Sequence, residues 1–308
     1  MIDFVGKRKW YFLFSGVILL VGVIFLGSAG IHRGIEFTGG TMMTVKFEQD
    51  VAQDDLRAAM AGLGYDDAII QWSDEAGAFI IRTKELREED QAVIEDTLAE
   101  EFGSLTVSDI YAISGSIASE IEGNATIAVF VAAIGILLYV TWAFRKVMKS
   151  FRFGVCAIVA LVHDVLIVLG VFSVLGVLFD MEIDAMFITG VLTVIGYSVN
   201  DTIVVFDRIR ENMLKSPSSP LKTTVNRSIM ETLGRSLNTS ITTLFVLLAL
   251  LFLGGTTISD FVLVLLIGVI SGTYSSICIA SQLLIVWENG TFSRFFRRVV
   301  PKRAPAAG

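Results

Sequence analysis

The sequence predicts an α-helical polytopic membrane protein with six transmembrane helices and one small α+β domain outside the bilayer. Three observations carry that prediction. Hydrophobic residues make up 54% of the 308 residues and charged residues 18%, against about 45–50% and about 25% in a soluble domain; mean hydropathy is +0.70. Six apolar stretches, near 11–29, 124–144, 153–178, 185–206, 237–254 and 260–287, match the length of chain that a bilayer crossing requires. Charge is also divided. Residues 31–122 hold 20 Asp and Glu and 6 Lys and Arg, a net of −14, while the rest of the chain carries a net of +7. The expected organisation is a first span within 1–30, an acidic domain over 31–123, and five further spans over 124–308.

The basic residues set an orientation. Outside the acidic stretch, Lys and Arg fall at Lys7 to Lys9, Arg145 to Arg152, Arg208 to Arg235 and Arg294 to Arg303. The connections at 179–184 and 255–259 carry none. The bias thus alternates at every crossing, as the positive-inside rule requires, and it places both termini in the cytoplasm and the acidic domain on the far side. The first span has the outline of a cleavable signal peptide, with basic residues, an apolar run, and small residues at Gly27 and Ala29. Its length and the closed topology favour an uncleaved anchor.

Within the acidic domain, TMMTVKF (41–47) alternates and is β-branched, which predicts a strand. Residues 50–64 place Val51, Leu56, Ala59, Met60 and Leu63 at helical spacing and end on a glycine. DAIIQW (67–72) and AFIIRT (78–83) read as strands joined by a turn from Ser73 to Gly77. Residues 84–103 form an amphipathic helix with Leu86, Val93, Ile94, Leu98 and Phe102 expected inward, and LTVSDIYAI (105–113) is the last strand. The order β-α-β-β-α-β is the ferredoxin-like arrangement. No metal or phosphate site is expected here, and the acidic side chains read as a solvated face or an interaction surface. Before the first strand, Gly39 and Gly40 predict a close backbone approach, a strained turn or a plain turn.

Chemistry is expected inside the membrane. His163 and Asp164 sit midway along the third span, and Asp201 lies inside the end of the fourth. A carboxylate in hydrocarbon costs about 2.5–3.5 kcal/mol on insertion scales and is retained mainly where it pairs, relays protons or lines a pathway. Thr189, Thr193, Tyr197, Asn200 and Asp201 share one stripe of span four; Arg235, Asn238, Thr239, Thr242 and Thr243 share one of span five. On consecutive antiparallel helices Asp201 and Arg235 reach similar depth, so the expectation is an ion pair governed by Asp201 protonation. His163 and Asp164, being adjacent, point to different faces, one toward span four and the other toward a partner. A helix–helix hydrogen bond and a proton relay both remain open for His163. Gly268 and Gly272, with Ser271, Ser275 and Ser276, read as a close helix-packing face. Cys156 and Cys278 lie in spans as small apolar residues.

Enzymatic readings fit poorly. No P-loop, HExxH or nucleophile elbow is present, and Val199-Asn200 precedes Asp201 where an intramembrane aspartyl protease would carry a Gly-x-Gly. The basic stretch 208–235 lacks interleaved aromatics, which argues against nucleic acid.

Five stretches resemble the SecF family of bacterial protein-export subunits, within the resistance-nodulation-division superfamily. They are Gly34 to Gly40 (GIEFTGG, with Glu36 for the usual Asp, and containing Phe37, Gly39 and Gly40), Ala160 to Val165, Gly196 to Asn212, the opening of span five from Arg235 (Ser236 for the usual Thr), and Gly272 to Ile277. The resemblance implies a SecD-like partner supplying six more spans, action on unfolded exported polypeptide beside the SecYEG channel in the inner membrane, and protons as the coupling ion with no other cofactor. By motif, Asp201 and Arg235 are the proton-passage residues, with Asn200, His163 and Asp164 as candidate relay members. The exported domain is then expected to swing on a short tether at 30–40. Half of a small-molecule or lipid exporter, or a passive assembly scaffold, are the alternatives.

Overall fold

A computed structural model describes residues 2–73, 76–147, 149–255 and 258–288. The basic segment Arg294 to Arg303 lies outside these, as do parts of the turn at 73–77 and of the connection at 255–259. The helices are α1 (Arg8–Ser28), α2 (Ile35–Thr38), α3 (Gln53–Gly62), α4 (Glu88–Phe102), α5 (Gly115–Ala143), α6 (Phe151–Phe179), α7 (Ala185–Lys215), α8 (Leu221–Leu253), α9 (Ser259–Ser275) and α10 (Ser281–Glu288). A π-helical turn, Ser276–Ala280, joins the last two. The strands are β1 (Gly40–Phe47), β2 (Ile69–Ser73), β3 (Ala78–Thr83) and β4 (Leu105–Ile113). Among the described residues, six helices are long and apolar enough to cross a membrane: α1, α5, α6, α7, α8 and the continuous run from Ser259 to Glu288. The chain divides into two compact units. One comprises 1–31, 128–181 and 186–308, and the other 32–127 with 182–185.

The smaller unit is a four-stranded antiparallel sheet of order β2-β3-β1-β4. With α3 and α4 as its crossovers, this is the ferredoxin-like arrangement. Met43 of the central β1 stands opposite Ile81 of β3 and Ile110 of β4. One face is covered: Met43, Val45, Ile70, Phe79 and Ile81 pack against Leu56 and Met60 of α3 and Ile94 and Leu98 of α4. Val93, expected inward, is 55% exposed. Ile94 and Leu98 take the inward face of α4, and at about 100° per residue Val93 turns away from it.

The stretch at 30–40 is not a free tether. From His32 onward it belongs to the folded unit. α2 fills part of it, Phe37 is buried, and Arg33 pairs in parallel with Ile183 across backbone bonds from Gly34 N to Ile183 O and from Ile183 N to His32 O, both 2.8 Å. Gly39 (φ +71°) and Gly40 (φ +133°) then turn the chain into β1. A Cβ on Gly40 would lie 2.4 Å from the Thr83 carbonyl oxygen, so the two glycines answer to close backbone approach as well as to positive φ. The segment 182–185 is locked in by an ion pair between Glu182 and Arg82. Burial pushes the Arg82 guanidinium below its ordinary value, and the nearby Glu36 charge opposes that.

In the larger unit, α1 and α6 cross at a pair of glycines. The Cβ that Gly22 lacks would lie 3.0 Å from the Gly170 Cα. α7 and α9 mesh at a glycine three times in succession: Gly190 under Val264, Gly268 under Val194, and Gly272 against Ser198. This is the close backbone approach by which helices associate in lipid. α7 and α8 are 31 and 33 residues long, about 46–50 Å at 1.5 Å per residue, so both overrun a hydrocarbon core of about 30 Å. Their overrun carries charge, with Arg208 and Arg227 both paired to Glu231 and Asn212 bonded to Glu231 and Ser228.

Candidate functional site: two buried carboxylates between the membrane helices

The glycine crossing of α1 on α6 and the meshing of α7 with α9 bring three helices, α1, α7 and α9, around the middle of α6. Asp164 is 1% exposed and His163 6%. Asp164 accepts from the hydroxyls of Ser198 on α7 and of Ser271 and Ser275 on α9, each at 2.6 Å. Its Oδ1 also lies 3.0 Å from His163 Nδ1. His163 Nε2 meets Ser15 Oγ of α1 at 3.0 Å, and Ser15 in turn donates to Tyr274 Oη. Of the two, Asp164 is the one that meets span four. His163 meets span one of its own chain, where the expectation for the second residue was a partner. The three serines meet the requirement that a buried carboxylate be hydrogen-bonded on both oxygens.

Asp201 lies one turn past Ser198 on the same face of α7 and is 9% exposed. Its Oδ2 accepts from Ser276 Oγ at 2.6 Å. The expected ion pair with Arg235 is not formed. Arg235 stands on the exposed face of α8, and among the described residues it makes no ion pair. Equal depth is one coordinate of a helix position and azimuth the other: Asp201 points to the end of α9, whereas Arg235 points away. Ser276 opens the π-helical turn, in which Ser281 Oγ and Gln282 Nε2 reach back five residues to the carbonyls of Ser276 and Ile277, at 2.8 and 3.3 Å.

The two carboxylates therefore form a closed circuit. Asp164 holds Ser198, which is three residues before Asp201; Asp201 holds Ser276, which is next to Ser275; and Ser275 holds Asp164. Ser271, Ser275 and Ser276 were expected only to pack. Small size does let α9 approach, but their hydroxyls are also the donors. A serine triplet spaced to face two helices was the one signal for this in the sequence, and it reads equally as a packing stripe.

Asn200, Thr189 and Thr193 are exposed on α7, and Arg235, Asn238, Thr239 and Thr242 on α8. Thr193, Thr239 and Thr242 donate to carbonyls of their own helices. Tyr197 instead turns inward, donating to Ser240 at 3.2 Å, and Ser240 contacts Thr273 at 2.6 Å. An exposed polar stripe thus runs down two apolar helices. Among the described residues, no group of three His, Cys, Asp or Glu side chains is arranged to hold a metal.

Comparison with known proteins agrees with these motifs. Residues 93–290 match the family described as protein export membrane protein SecD/SecF, C-terminal, and residues 24–51, which include Gly39 and Gly40, match the SecD/SecF GG motif. The chain belongs to the SecF family. It is 46% identical to the protein translocase subunit SecF of Thermobaculum terrenum over 99% of both chains, and 38% identical to that of Anaerolinea thermophila over 97% of this chain and 98% of the other. It is also 39% identical to the protein translocase subunit SecDF of Thermus thermophilus, over 88% of this chain but 36% of that one. The crystal structure of a Thermus SecDF, described as a translocon-associated membrane protein, superposes with a TM-score of 0.81 over 94% of this chain and 39% of that chain, at 37% identity. Membership of this family makes the chain a multi-pass membrane protein with the fold of the SecF portion of SecDF.

Proposed function

We propose that the chain is a translocase subunit of the bacterial inner membrane, with both termini cytoplasmic, that pairs with a SecD-like subunit and uses the proton motive force to help draw unfolded polypeptide out of the SecYEG channel. The SecDF relatives, in which a matching portion is fused within a longer chain, support the SecD partner. So does the exposed stripe of Asn200, Arg235 and Asn238, because polar groups at membrane depth call for a second helix bundle to cover them.

The observation that carries the coupling is Asp201, buried in a membrane helix where, among the described residues, it takes a hydroxyl hydrogen bond from Ser276 and makes no ion pair. In our reading Asp201 alternates between a protonated form held by Ser276 and an ionised form that draws Arg235 inward. Moving one charge across 100 mV supplies about 2.3 kcal/mol, enough to bias a two-state element by about 50-fold. The π-helical turn at Ser276 is the part of span six that answers to the change, since π turns mark functional positions in helices.

Export measured in membrane vesicles with and without a proton gradient tests this reading. Asp201→Asn keeps the shape and the Ser276 contact but cannot titrate, so it should accumulate normally and lose gradient-stimulated export. Full stimulation in that variant, at parent protein levels, would overturn the reading.

A further inference from the structure

The hydrogens around His163 can be assigned one by one. The Tyr274 hydroxyl donates its single hydrogen to the Tyr11 carbonyl at 2.8 Å, which cannot donate in return. Tyr274 therefore accepts from Ser15, at 3.1 Å. Ser15, its hydrogen committed, accepts from His163 Nε2 at 3.0 Å, so Nε2 carries a hydrogen. On the other side Ser198, Ser271 and Ser275 all direct theirs at Asp164. One contact remains, His163 Nδ1 to Asp164 Oδ1 at 3.0 Å, and it needs one hydrogen on either atom. Imidazolium with carboxylate and imidazole with carboxylic acid both satisfy the count. Each has net charge zero and the same number of protons.

The surroundings oppose leaving that state in either direction. Removing a proton leaves a negative charge in the membrane faced by hydroxyls alone. Adding one places imidazolium beside a neutral carboxyl whose hydrogen must point at an oxygen already donating. The titratable groups facing the pair are Tyr274, its ring stacked on His163 with centroids 6.2 Å apart, with Tyr11 and Cys278 behind it and Asp201 one turn further along α7. Among the described residues, no Lys or Arg side chain bonds to either member.

We propose that His163 and Asp164 are a proton-locked pair. The hydrogen between His163 Nδ1 and Asp164 Oδ1 stays within the pair throughout the working cycle and keeps it neutral. Asp164 then acts as a positioning residue, setting Ser198 and Ser275, the neighbours of Asp201 and Ser276. The titrating role falls to Asp201 alone, and only that last statement rests on the proton-coupled reading.

The chain has two histidines, His32 and His163, so nitrogen NMR of the full chain in lipid, labelled at the histidine rings, resolves them, with His32→Gln assigning the signals. Both His163 ring nitrogens should show the shifts of hydrogen-bonded nitrogens, Nδ1 sharing a hydrogen with Asp164 Oδ1 and Nε2 carrying its own toward Ser15. A bare Nε2, or an Nδ1 with no hydrogen between it and Asp164, would overturn the proposal. The measurement uses no gradient, so it stands or falls apart from proton-driven export. A second arm reads how much of the chain accumulates in membranes. His163→Gln alone, which leaves Asp164 a charge faced by hydroxyls, should accumulate less than the parent. The double variant His163→Gln with Asp164→Asn restores neutrality and should be more abundant than the single one. A single variant at parent levels, or a double variant no more abundant than it, would sink the idea.

Discussion

A single methyl group at Gly268 should open the whole buried circuit. The Cβ of an alanine there would lie 2.0 and 2.5 Å from the two Cγ atoms of Val194 and 2.8 Å from its Cβ. All three side-chain carbons of the valine are too close, so rotating it only exchanges one clash for another. Relief requires α9 to move from α7 by about 1.4 Å, the gap between 2.0 Å and an ordinary contact of 3.4 Å. The hydrogen bond from Ser276 to Asp201 joins the end of α9 to α7 directly, while Asp164 of α6 holds Ser198 of α7 and Ser275 of α9, all at 2.6 Å. Carried about 1.4 Å apart, the first bond and one of the two arms on Asp164 would reach about 4.0 Å and cease to be bonds. Overpacking costs about 1–3 kcal/mol, and two membrane hydrogen bonds at about 0.6 kcal/mol each add about 1. Gly268→Ala should therefore lose about 2–4 kcal/mol. Reversible unfolding in mixed micelles reads that loss, with Gly135→Ala as control, since nothing lies within 4 Å of its added methyl. Val194→Ala placed in the Gly268→Ala background removes both Cγ clashes and should recover more than half of it. A Gly268→Ala protein as stable as the parent, or one that Val194→Ala does not help, would show that the α7–α9 mesh is not what holds the serines to their carboxylates.

Other expectations concern the smaller unit and the N-terminal segment. Gly40→Ala combines φ +133° with a 2.4 Å approach to the Thr83 carbonyl, so it should cost about 3 kcal/mol and raise protease sensitivity around β1, while Gly62→Ala, in open space on α3, should be neutral or slightly stabilising. Glu182→Gln should destabilise by about 1–3 kcal/mol, less than a fully buried pair because the side chains of Arg82 and Glu182 keep 18% and 15% exposure; the double change with Arg82→Met should recover part of that in the same melt. Asn226→Ala removes an amide that accepts from Phe4 N at 2.8 Å and donates to Ile2 O at 3.1 Å, so cleavage of the first residues by aminopeptidase should quicken with the rest of the chain unchanged.

The sequence patterns that proved legible are those with a period. Six apolar runs became six helices, and the alternating stretch 41–47 falls within β1, because burial on one side imposes the pattern directly. Depth was legible too, since residue count along a span measures it. Azimuth was not. The sequence says that Asp201 and Arg235 share a level, but which side of α7 faces which neighbour depends on where α9 packs, and that is set by Gly190, Gly268 and Gly272 on facing helices. The serine donors were hidden for a related reason. A small polar residue in a membrane helix serves packing and hydrogen bonding at once, and only its neighbours tell which. The segment 182–185 read as a plain connection because its partners, Arg33 and Arg82, are about 100–150 residues earlier in the chain.

That last segment has a consequence for how the protein is made. The sheet and its two helices are complete once the ribosome has passed residue 127, yet their unit also needs Glu182 and Ile183. About 55 residues separate the two, which at about 5–20 residues per second is a wait of roughly 3–11 seconds. Through that interval Arg82 has no carboxylate from Glu182, the edge at Arg33 is unpaired, and two membrane helices must be threaded before the last four residues arrive. The nascent domain is thus held ajar during synthesis, and its final closure reports that the second and third crossings are in place.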